Sequence, residues 1–344
     1  MADRQLDRYY RYRRFRLPRR PRVFTDRNNP LESLDVESVR KRYRFFPDSI
    51  MILVGIVEPT IGTATMRSNP LPPLLTVLCC LQFFATGAHH IVIAQAHGVS
   101  RSAVGKAIHA VSVILAGLLN RYVKFPTGLD IESVKRKFYS VAGFPNVVGA
   151  VDGTHVKIQA PPDNEADYVN RKGYHSLNVQ MVCDANYRIT DVIAKWPGSV
   201  HDSRMFSEGI LCQKLETGQI DGLLLGDSGY PCRKYLMTPY ANPRNLSEER
   251  FNTALCRTRV LIEQTFGMLK RRFAVLKYGI RTTPDRAAVY VASCAMLHNF
   301  GFEHGDVYGR QTYEDDDMPQ VDNQGVDVNG RTQRDYITQR HFAV

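Results

Sequence analysis

The strongest constraint on the fold of this chain is a change of pattern that follows KFP at 124–126. Beyond it, four segments are rich in β-forming residues and are bounded by turn residues, as β-strands are. They are VVGAVDGTHVKIQA at 147–160, LNVQMVCDA at 177–185, YRITDVIAKW at 187–196 and GLLLGDSGY at 222–230. Residues 202–216 and 252–276 have helical spacing. Three closely spaced strands followed by alternating helix and strand predict an α/β domain with a mixed sheet.

Residues 31–125 predict an all-helical region, because apolar residues recur at helical spacing and prolines separate the runs. Within it, HIVIAQAHGVSRSAVGKAIH at 90–109 has the pattern of a helix-turn-helix. Gly98 would lie in the turn, Ser100 would be the N-cap of the second helix, and Val104 would be buried. The outward-facing candidates for DNA contact are Arg101, Ser102, Lys106 and His109. The alternative is an ordinary pair of packed helices.

The two ends of the chain differ in charge. Residues 1–30 contain many arginines interleaved with tyrosines, which predicts a flexible basic arm. The arm either binds nucleic acid or directs nuclear import, or it is a solvated tail without a specific role. Residues 303–344 include the acidic run Glu314–Asp317 and predict a disordered tail. The formal net charge of +11 and pI of about 9.3 favour a polyanionic partner.

The seven cysteines include no Cys-x-x-Cys pair, so we expect a reducing compartment and no structural zinc site. The most apolar stretch, at 74–84, is interrupted by Gln82 and is too short for a membrane span. The sequence therefore predicts a soluble protein without a membrane partner.

Two aspartates occupy positions that are unusual for structural carboxylates. Asp152 follows the apolar run VVGAV and Asp227 follows LLLG, so each would end a strand. Ligands bind at the strand ends of open α/β sheets, and desolvated carboxylates call for a compensating cation. Magnesium fits, because it needs only a few carboxylates and leaves room for substrate phosphates. The alternative is that each aspartate only opens the turn that begins at Gly153 or precedes Gly229.

A third acid, Glu263, lies on the predicted helix RTRVLIEQTFGMLKRRFAVL at 257–276. It borders the apolar stripe of that helix, and Gly267 one turn later would leave open space beside the carboxylate. The stripe itself consists of Ile262, Phe266, Leu269, Phe273 and Leu276. The alternative is an exposed glutamate that pairs with Arg259.

In combination, these motifs resemble the catalytic domain of Harbinger-type transposases. GAVDGTHVKI, PGSVHDSRMF, LLGDSGYP, RTRVLIEQTFGMLKRRF and CAMLHNF occur in the family's order and at roughly its separations. The resemblance covers about 147–300, and LQFFATGAHHIVIAQAHGVSRSAV at 81–104 is similar to the family's helical N-terminal region. It implies a ribonuclease H-like fold in which Asp152, Asp227 and Glu263 are the catalytic triad and the metal ligands.

The resemblance also implies an activity, cofactors and partners. Two Mg²⁺ or Mn²⁺ ions would support cleavage of DNA at element ends when water attacks, and strand transfer when a 3′-hydroxyl attacks. Terminal inverted repeats and target DNA would be the double-stranded substrates, and a Myb/SANT-like protein would be the DNA-binding partner. We further expect a homo-oligomer on DNA, located in the nucleus and also in the cytoplasm.

Further residues are secondary candidates. Asp202 follows a Pro-Gly turn at a helix start, where an N-cap role competes with a supporting role beside the metal. His155 and His201 either orient a carboxylate, contact DNA or make structural hydrogen bonds. The candidate phosphate contacts outside the helix-turn-helix are Arg171 and Lys172 in a turn, and Lys270 and Arg271 on the long helix.

The sequence thus predicts four regions: the arm at 1–30, a helical DNA-binding domain at 31–125, a nuclease domain at 126–302 and the tail at 303–344. Two other functions stay open beside a transposase-like nuclease. One is a domesticated, catalytically silent DNA-binding or adaptor protein that keeps the fold. The other is an RNA-directed nuclease with the same metal chemistry, although a helix-turn-helix favours duplex DNA.

Overall fold

The computed structural model of the protein describes residues 29–61, 70–307 and 327–343. Almost all of the predicted basic arm and the acidic run Glu314–Asp317 lie outside these residues.

The region before residue 125 is helical, as its apolar spacing predicts. Its helices are α1 (Pro30–Ser33), α2 (Val36–Tyr43), α3 (Pro47–Ile61), α4 (Pro73–Thr86), α5 (His90–His97), α6 (Arg101–Gly117) and α7 (Leu119–Tyr122). Gly98 ends α5 in the left-handed conformation, with φ of 63°. Ser100 caps α6, because the backbone N–H of Ala103 donates to Ser100 Oγ over 3.2 Å. The turn residues predicted from the sequence are therefore confirmed.

Helix α6 is packed between other helices. Val104, Ile108 and Val111 are fully buried on it, and its main neighbours are α4 and α13 (Pro284–Glu303). The hydroxyl of Ser293 on α13 donates to the carbonyl oxygen of Ser112 over 2.8 Å. One apolar cluster extends from the N-terminal helices into the sheet region. The predicted domain boundary near residue 125 stays a prediction, since the core is continuous across it.

Within the described residues, no single helix combines the length and apolarity of a membrane span. The pair α5 and α6 reaches the required length and composition only together, and the two helices are bent by 103°.

The sheet has five strands in the order β3-β2-β1-β4-β5. The strands are β1 (Val147–Lys157), β2 (Ser176–Cys183), β3 (Ile189–Pro197), β4 (Leu223–Leu225) and β5 (Leu236–Met237). β1, β2 and β3 form an antiparallel meander, whereas β4 pairs parallel with β1 and β5 pairs parallel with β4. The predicted mixed sheet is therefore confirmed.

Strand β1 differs from its prediction in one respect. Asp152 does not end the strand, because β1 continues through Lys157 and Asp152 pairs with Met181 of β2. The parallel partner of β1 ends before Asp152, since β4 is short and stops at Leu225, which is opposite Ala150. Asp152 thus lies beside the end of β4 rather than at the end of its own strand.

Helices cover both faces of the sheet. On one face, Val148, Val151 and Leu224 pack against α9 (Asp202–Ser207) and α10 (Ile210–Glu216). The other face packs against α8 (Asp130–Ala142), α11 (Leu246–Arg272), α12 (Val275–Tyr278) and α13. The single helix predicted at 202–216 is two helices, because the chain bends at Gly209, which is the N-cap of α10.

Helix α11 is the longest of the described helices, with 27 residues. Asn245 caps it, because the backbone N–H of Glu248 donates to Asn245 Oδ1 over 2.9 Å. At the other end, the Arg272 guanidinium stacks over Phe45, 4.1 Å from the ring centroid, and donates to the Arg44 carbonyl oxygen. The helix therefore connects the core of the N-terminal helices with the sheet region.

The prediction that the whole segment 303–344 is disordered is wrong for its last part. Residues Val328–His341 form helix α14, which lies against β5 and α11. Phe342 packs on Phe144 and Phe251, and the Arg334 guanidinium lies 3.9 Å from the centroid of Tyr240. Few apolar side chains mark this segment in the sequence, but Ile337 and Phe342 bury enough surface to dock it.

Candidate active site

Asp152 and Asp227 are adjacent because of the sheet register. Ala150 of β1 is opposite Leu225, the last residue of β4, and each aspartate follows two residues later in the chain. The backbone N–H of Gly229 donates to Asp227 Oδ1 over 3.0 Å, so Asp227 also forms the turn that the alternative interpretation expected. Both aspartates therefore lie at the carboxyl end of β4, where ligands bind in α/β sheets.

Glu263 reaches the same place from helix α11, through Arg259. The Arg259 guanidinium donates from Nη1 to Asp152 Oδ2 over 2.9 Å and from Nη2 to Glu263 Oε1. The Glu263–Arg259 pair expected as the structural alternative thus exists, but it is not confined to the helix surface. Arg259 is only 13% exposed, and it joins the carboxylate of α11 to that of β1.

Asp202 is a fourth carboxylate of the site, and the N-cap role expected for it is wrong. It is the first residue of α9, while His201 holds the N-cap position without a side-chain cap bond. Instead, Asn178 Nδ2 donates to Asp202 Oδ1 over 2.7 Å. A Cβ atom on Gly153 would lie 2.5 Å from Asp202 Oδ1, so only glycine beside Asp152 lets this carboxylate approach β1.

The aspartates hold their protons more tightly than usual. Burial raises the pKa of Asp152 well above its ordinary value, and repulsion from Asp227 and Asp202 adds to the effect, although Arg259 opposes it. Burial also raises the pKa of Asp227 and of Asp202. Desolvated neighbouring carboxylates of this kind are typical of functional sites.

The donor chemistry of the site fits a divalent cation. Arg259 bonds Asp152 and Glu263, and Asp227 and Asp202 are close enough to repel Asp152, so negative charge exceeds that of the one guanidinium. Carboxylate oxygens are the ligands that Mg²⁺ and Mn²⁺ prefer. In the described parts of the chain, however, no three His, Cys, Asp or Glu side chains are arranged to hold one ion. Arg259 lies between Asp152 and Glu263, so a shared ion requires this arginine to move.

Three polar residues near the aspartates are absent from the sequence predictions. Asn178 and Gln180 lie on β2 opposite His155 and Gly153 of β1. Tyr230 is buried and its hydroxyl donates to Gln180 Oε1 over 3.5 Å, while burial and then the nearby carboxylates raise its pKa. The signal in the sequence is the alternation of polar residues in LNVQMV, since a buried strand rarely carries two uncharged amides without a purpose.

The histidines and the turn have separate places. His155 Nδ1 lies 3.1 Å from Ser176 Oγ, which fits the structural hydrogen bond among its three expected roles. His201 Nδ1 lies 2.7 Å from Arg171 Nη2. Burial raises the pKa of the adjacent Asp202, and these two side chains partly oppose that rise. Arg171 and Lys172 are exposed in the turn before β2. Arg171 is close enough to Asp202 to affect its charge, and both residues remain candidates for phosphate contact.

Among the other predicted DNA contacts, the burial of Lys270 contradicts the prediction. Lys270 is 7% exposed on the core-facing side of α11, which leaves no surface for a phosphate contact. Arg271 is half-buried on the same helix. Arg101, Ser102 and Lys106 are exposed at the start of α6, away from the carboxylates.

Comparison with known proteins identifies the family. Residues 151–299, which include all four carboxylates, match the family described as DDE superfamily endonuclease. "Putative nuclease HARBI1" of Homo sapiens is 34% identical over 280 residues, 80% of each chain. "Protein ALP1-like" of Arabidopsis thaliana is 27% identical over 306 residues, 83% of this chain and 73% of the relative. No solved structure matches the chain. The chain belongs to the DDE superfamily endonucleases, within the group of Harbinger transposase-derived nucleases.

Proposed function

We propose that the protein is a metal-dependent DNA endonuclease whose catalytic residues are Asp152, Asp227 and Glu263. The observation that carries the proposal is the convergence of these acids, from two parallel strands and one helix, on the single cation of Arg259. Buried carboxylates without equal positive charge are costly unless a cation joins them. The membership of the chain in an endonuclease family supports the same function.

The three acids would hold the divalent ion or ions that DDE superfamily nucleases generally use. When bound, such ions activate the attacking oxygen and stabilise the leaving oxygen of a phosphodiester. Asp202 stays in place through Asn178 and would orient the neighbouring carboxylates. Arg259 holds Asp152 and Glu263 at a fixed separation before the ion arrives. The exposed Arg171 would bind a phosphate of the substrate next to these acids.

The proposal extends to fold and substrate. The strand order, with an antiparallel meander followed by two parallel strands, supports a ribonuclease H-like domain. The net charge of +11 supports double-stranded DNA as the substrate, and a nuclear location follows from it. Strand transfer would use the same site with a 3′-hydroxyl in place of water. A Myb/SANT-like partner and assembly into a homo-oligomer on DNA belong to the same proposal.

A second candidate function is a silent DNA-binding or adaptor protein. The observation that favours it is Arg259, because a guanidinium that neutralises Asp152 and Glu263 competes with a metal ion for the same carboxylates. Metal-dependent cleavage distinguishes the two functions, since only the endonuclease requires Arg259 to release Asp152 and Glu263 to a metal ion.

The test is incubation of the purified full-length chain with labelled duplex DNA, with Mg²⁺, Mn²⁺ or EDTA. We expect cleavage that EDTA abolishes. Asp152→Asn, Asp227→Asn and Glu263→Gln should each lower the rate by at least about 10²-fold, because each removes a ligand. Glu249→Gln is the matched control, since Glu249 is exposed on the same helix as Glu263.

Two results would count against the proposal. A triad variant that folds as wild type and keeps near-native cleavage would show that the replaced residue is not a ligand. A wild-type protein that binds duplex DNA but never cuts it, with either metal, would favour the second candidate function.

A further inference from the structure

A cleft of about 780 Å³ is lined by residues of the N-terminal helices on one side and of the sheet region on the other. One wall is the segment that leads into α5 together with the first turns of α6. The other wall is the segment 279–286, which connects α12 to α13 and pairs with the end of β1 through Ile158 and Ile280. The cleft therefore lies between two parts of the chain that the sequence predicts to be separate domains.

The lining of this cleft is basic. We call it the basic cleft and define it by its cationic and histidine side chains, which are Arg101, Lys106, Arg281, Arg286, His89 and His109. His90 also lines it, whereas none of the lining residues described is an aspartate or a glutamate. The four arginine and lysine side chains are exposed, and none pairs with a carboxylate in the described residues. Their charge is available to an anionic ligand.

Two histidines in the wall of the basic cleft are affected by its burial and charge. His109 Nδ1 is buried at the cleft and lacks a hydrogen-bond partner among the described residues. Burial lowers the pKa of His90, and the positive charges of Arg101 and His89 lower it further. The cleft is thus an electropositive space that still has an unsatisfied polar group in its wall.

The first turns of α6 face the opposite wall of the cleft. A recognition helix contacts base edges mainly with the residues of its first turns, which on α6 are Arg101, Ser102 and Lys106. Beyond Lys106, the exposed positions of α6 are Ala110, Val113 and Gly117, which have no side-chain donor or acceptor for a base. The cationic groups are confined to the start of the helix, and they face Arg281 and Arg286 across the cleft. This arrangement fits phosphates, which carry no sequence information.

We propose that the basic cleft binds the sugar-phosphate backbone of the DNA duplex that the active site cuts, without reading its sequence. This inference rests on the proposed function for the identity of the polyanion. Gln159 lines the cleft and lies two residues beyond the end of β1. It follows Asp152 by seven residues, which is about 23 Å of extended chain. That distance is less than one turn of duplex DNA, about 34 Å, so one bound duplex can reach both places.

The test compares three double variants of the full-length chain. Arg281→Ala with Arg286→Ala removes the charge of one wall, and Arg101→Ala with Lys106→Ala removes that of the other. The control is Arg136→Ala with Lys137→Ala, exposed cations on α8 that lie outside the cleft lining. Affinity is measured in EDTA, so that no cleavage occurs, by fluorescence anisotropy of several unrelated duplexes over a range of salt concentrations.

Each cleft variant should weaken binding to all duplexes by the same factor and flatten the slope of log affinity against log salt by about 1.8, from two lost phosphate contacts. The control pair should change the slope by less, and all three variants should keep the wild-type Tm. An unchanged slope in either cleft variant would overturn the inference. So would a loss restricted to one sequence, or a loss seen with duplex RNA and not with DNA.

Failure of the proposed function has a different signature. If the cleft variants lose binding as expected but the wild type never cuts with Mg²⁺ or Mn²⁺, the cleft inference holds and the endonuclease is rejected. If the wild type cuts and the cleft variants bind normally, the endonuclease holds and the cleft inference is rejected.

Discussion

Arg259 of α11 donates to Asp152 of β1 over 2.9 Å and thereby neutralises a carboxylate that is largely desolvated. Because the same guanidinium also bonds Glu263, it takes the position between two acids that a divalent ion would otherwise take. Arg259 is therefore both a structural partner of the metal-free site and a competitor of the metal.

The first prediction follows from this double role. Arg259→Gln should lower Tm in EDTA, because a buried carboxylate loses its partner, at a cost of about 2 kcal/mol after allowance for partial exposure. Added Mg²⁺ should then raise Tm more in the variant than in wild type. Thermal unfolding with and without Mg²⁺ measures both effects, and Arg257→Gln, exposed on the same helix, is the control. Equal Tm values in EDTA would contradict the role given to Arg259.

The second prediction concerns the approach of Asp202 to Gly153. Gly153→Ala places a methyl group 2.5 Å from Asp202 Oδ1, so it should displace this carboxylate and lower cleavage by at least about tenfold. Asp202→Asn should lower cleavage as well, since it removes the charge beside Asp152. Gly55→Ala is the control, because a Cβ at Gly55 meets nothing within 4 Å. Near-native cleavage by both Gly153→Ala and Asp202→Asn would exclude Asp202 from the site.

The third prediction concerns pH and a residue outside the site. Burial raises the pKa of Asp191 on β3 from 3.8 to about 6. The folded protein therefore binds this proton more tightly than the unfolded chain does, and stability is lost as the pH rises from 3.8 through 6. Asp191→Asn removes this loss, so at pH 8 its free energy of unfolding should exceed that of wild type by about 2 kcal/mol, and its Tm should be higher. The difference should shrink towards zero at pH 4.

Thermal unfolding at several pH values measures this dependence. Asp163→Asn, in an exposed loop, is the control for the loss of a surface carboxylate. A difference for Asp191→Asn that is the same at pH 4 and pH 8 would refute the raised pKa.

The fourth prediction concerns Gly330 on α14. Alanine inside a helix is normally more favourable than glycine by about 1 kcal/mol, and Gly55→Ala in the middle of α3 should show this gain because its Cβ meets nothing within 4 Å. At Gly330 the sign should reverse, since the Cβ would lie 2.2 Å from the Cys232 carbonyl oxygen. Gly330→Ala should lower Tm and make α14 more sensitive to limited proteolysis. A gain in Tm would show that α14 does not dock as described.

Much of the fold could be predicted from the sequence, because apolar spacing and turn residues act locally. The strands of the meander, the cap at Ser100 and the long helix with Glu263 are of this kind. Asp152 and Asp227 could also be identified from the sequence, since a charged residue directly after an apolar run is unusual.

Features that depend on contacts between distant segments could not be predicted. The place of Asp152 beside the end of β4 depends on which residues of β1 and β4 pair, and the apolar run before Asp152 does not show this register. The place of Asp202 depends on the space above Gly153, which a sequence does not contain. The burial of Lys270 depends on which side of α11 meets the core, and the apolar stripe left that residue at its border.

Helix α14 also has a consequence for the behaviour of the protein in solution. β5 is the last strand of the sheet, and Arg334 donates to the carbonyl oxygens of Thr238 and Pro239 just beyond it. An uncovered terminal strand is a template on which strands of other molecules add and aggregate. The C-terminal helix thus covers this edge. A shortened chain that ends before Val328 would expose β5 and would be prone to self-association.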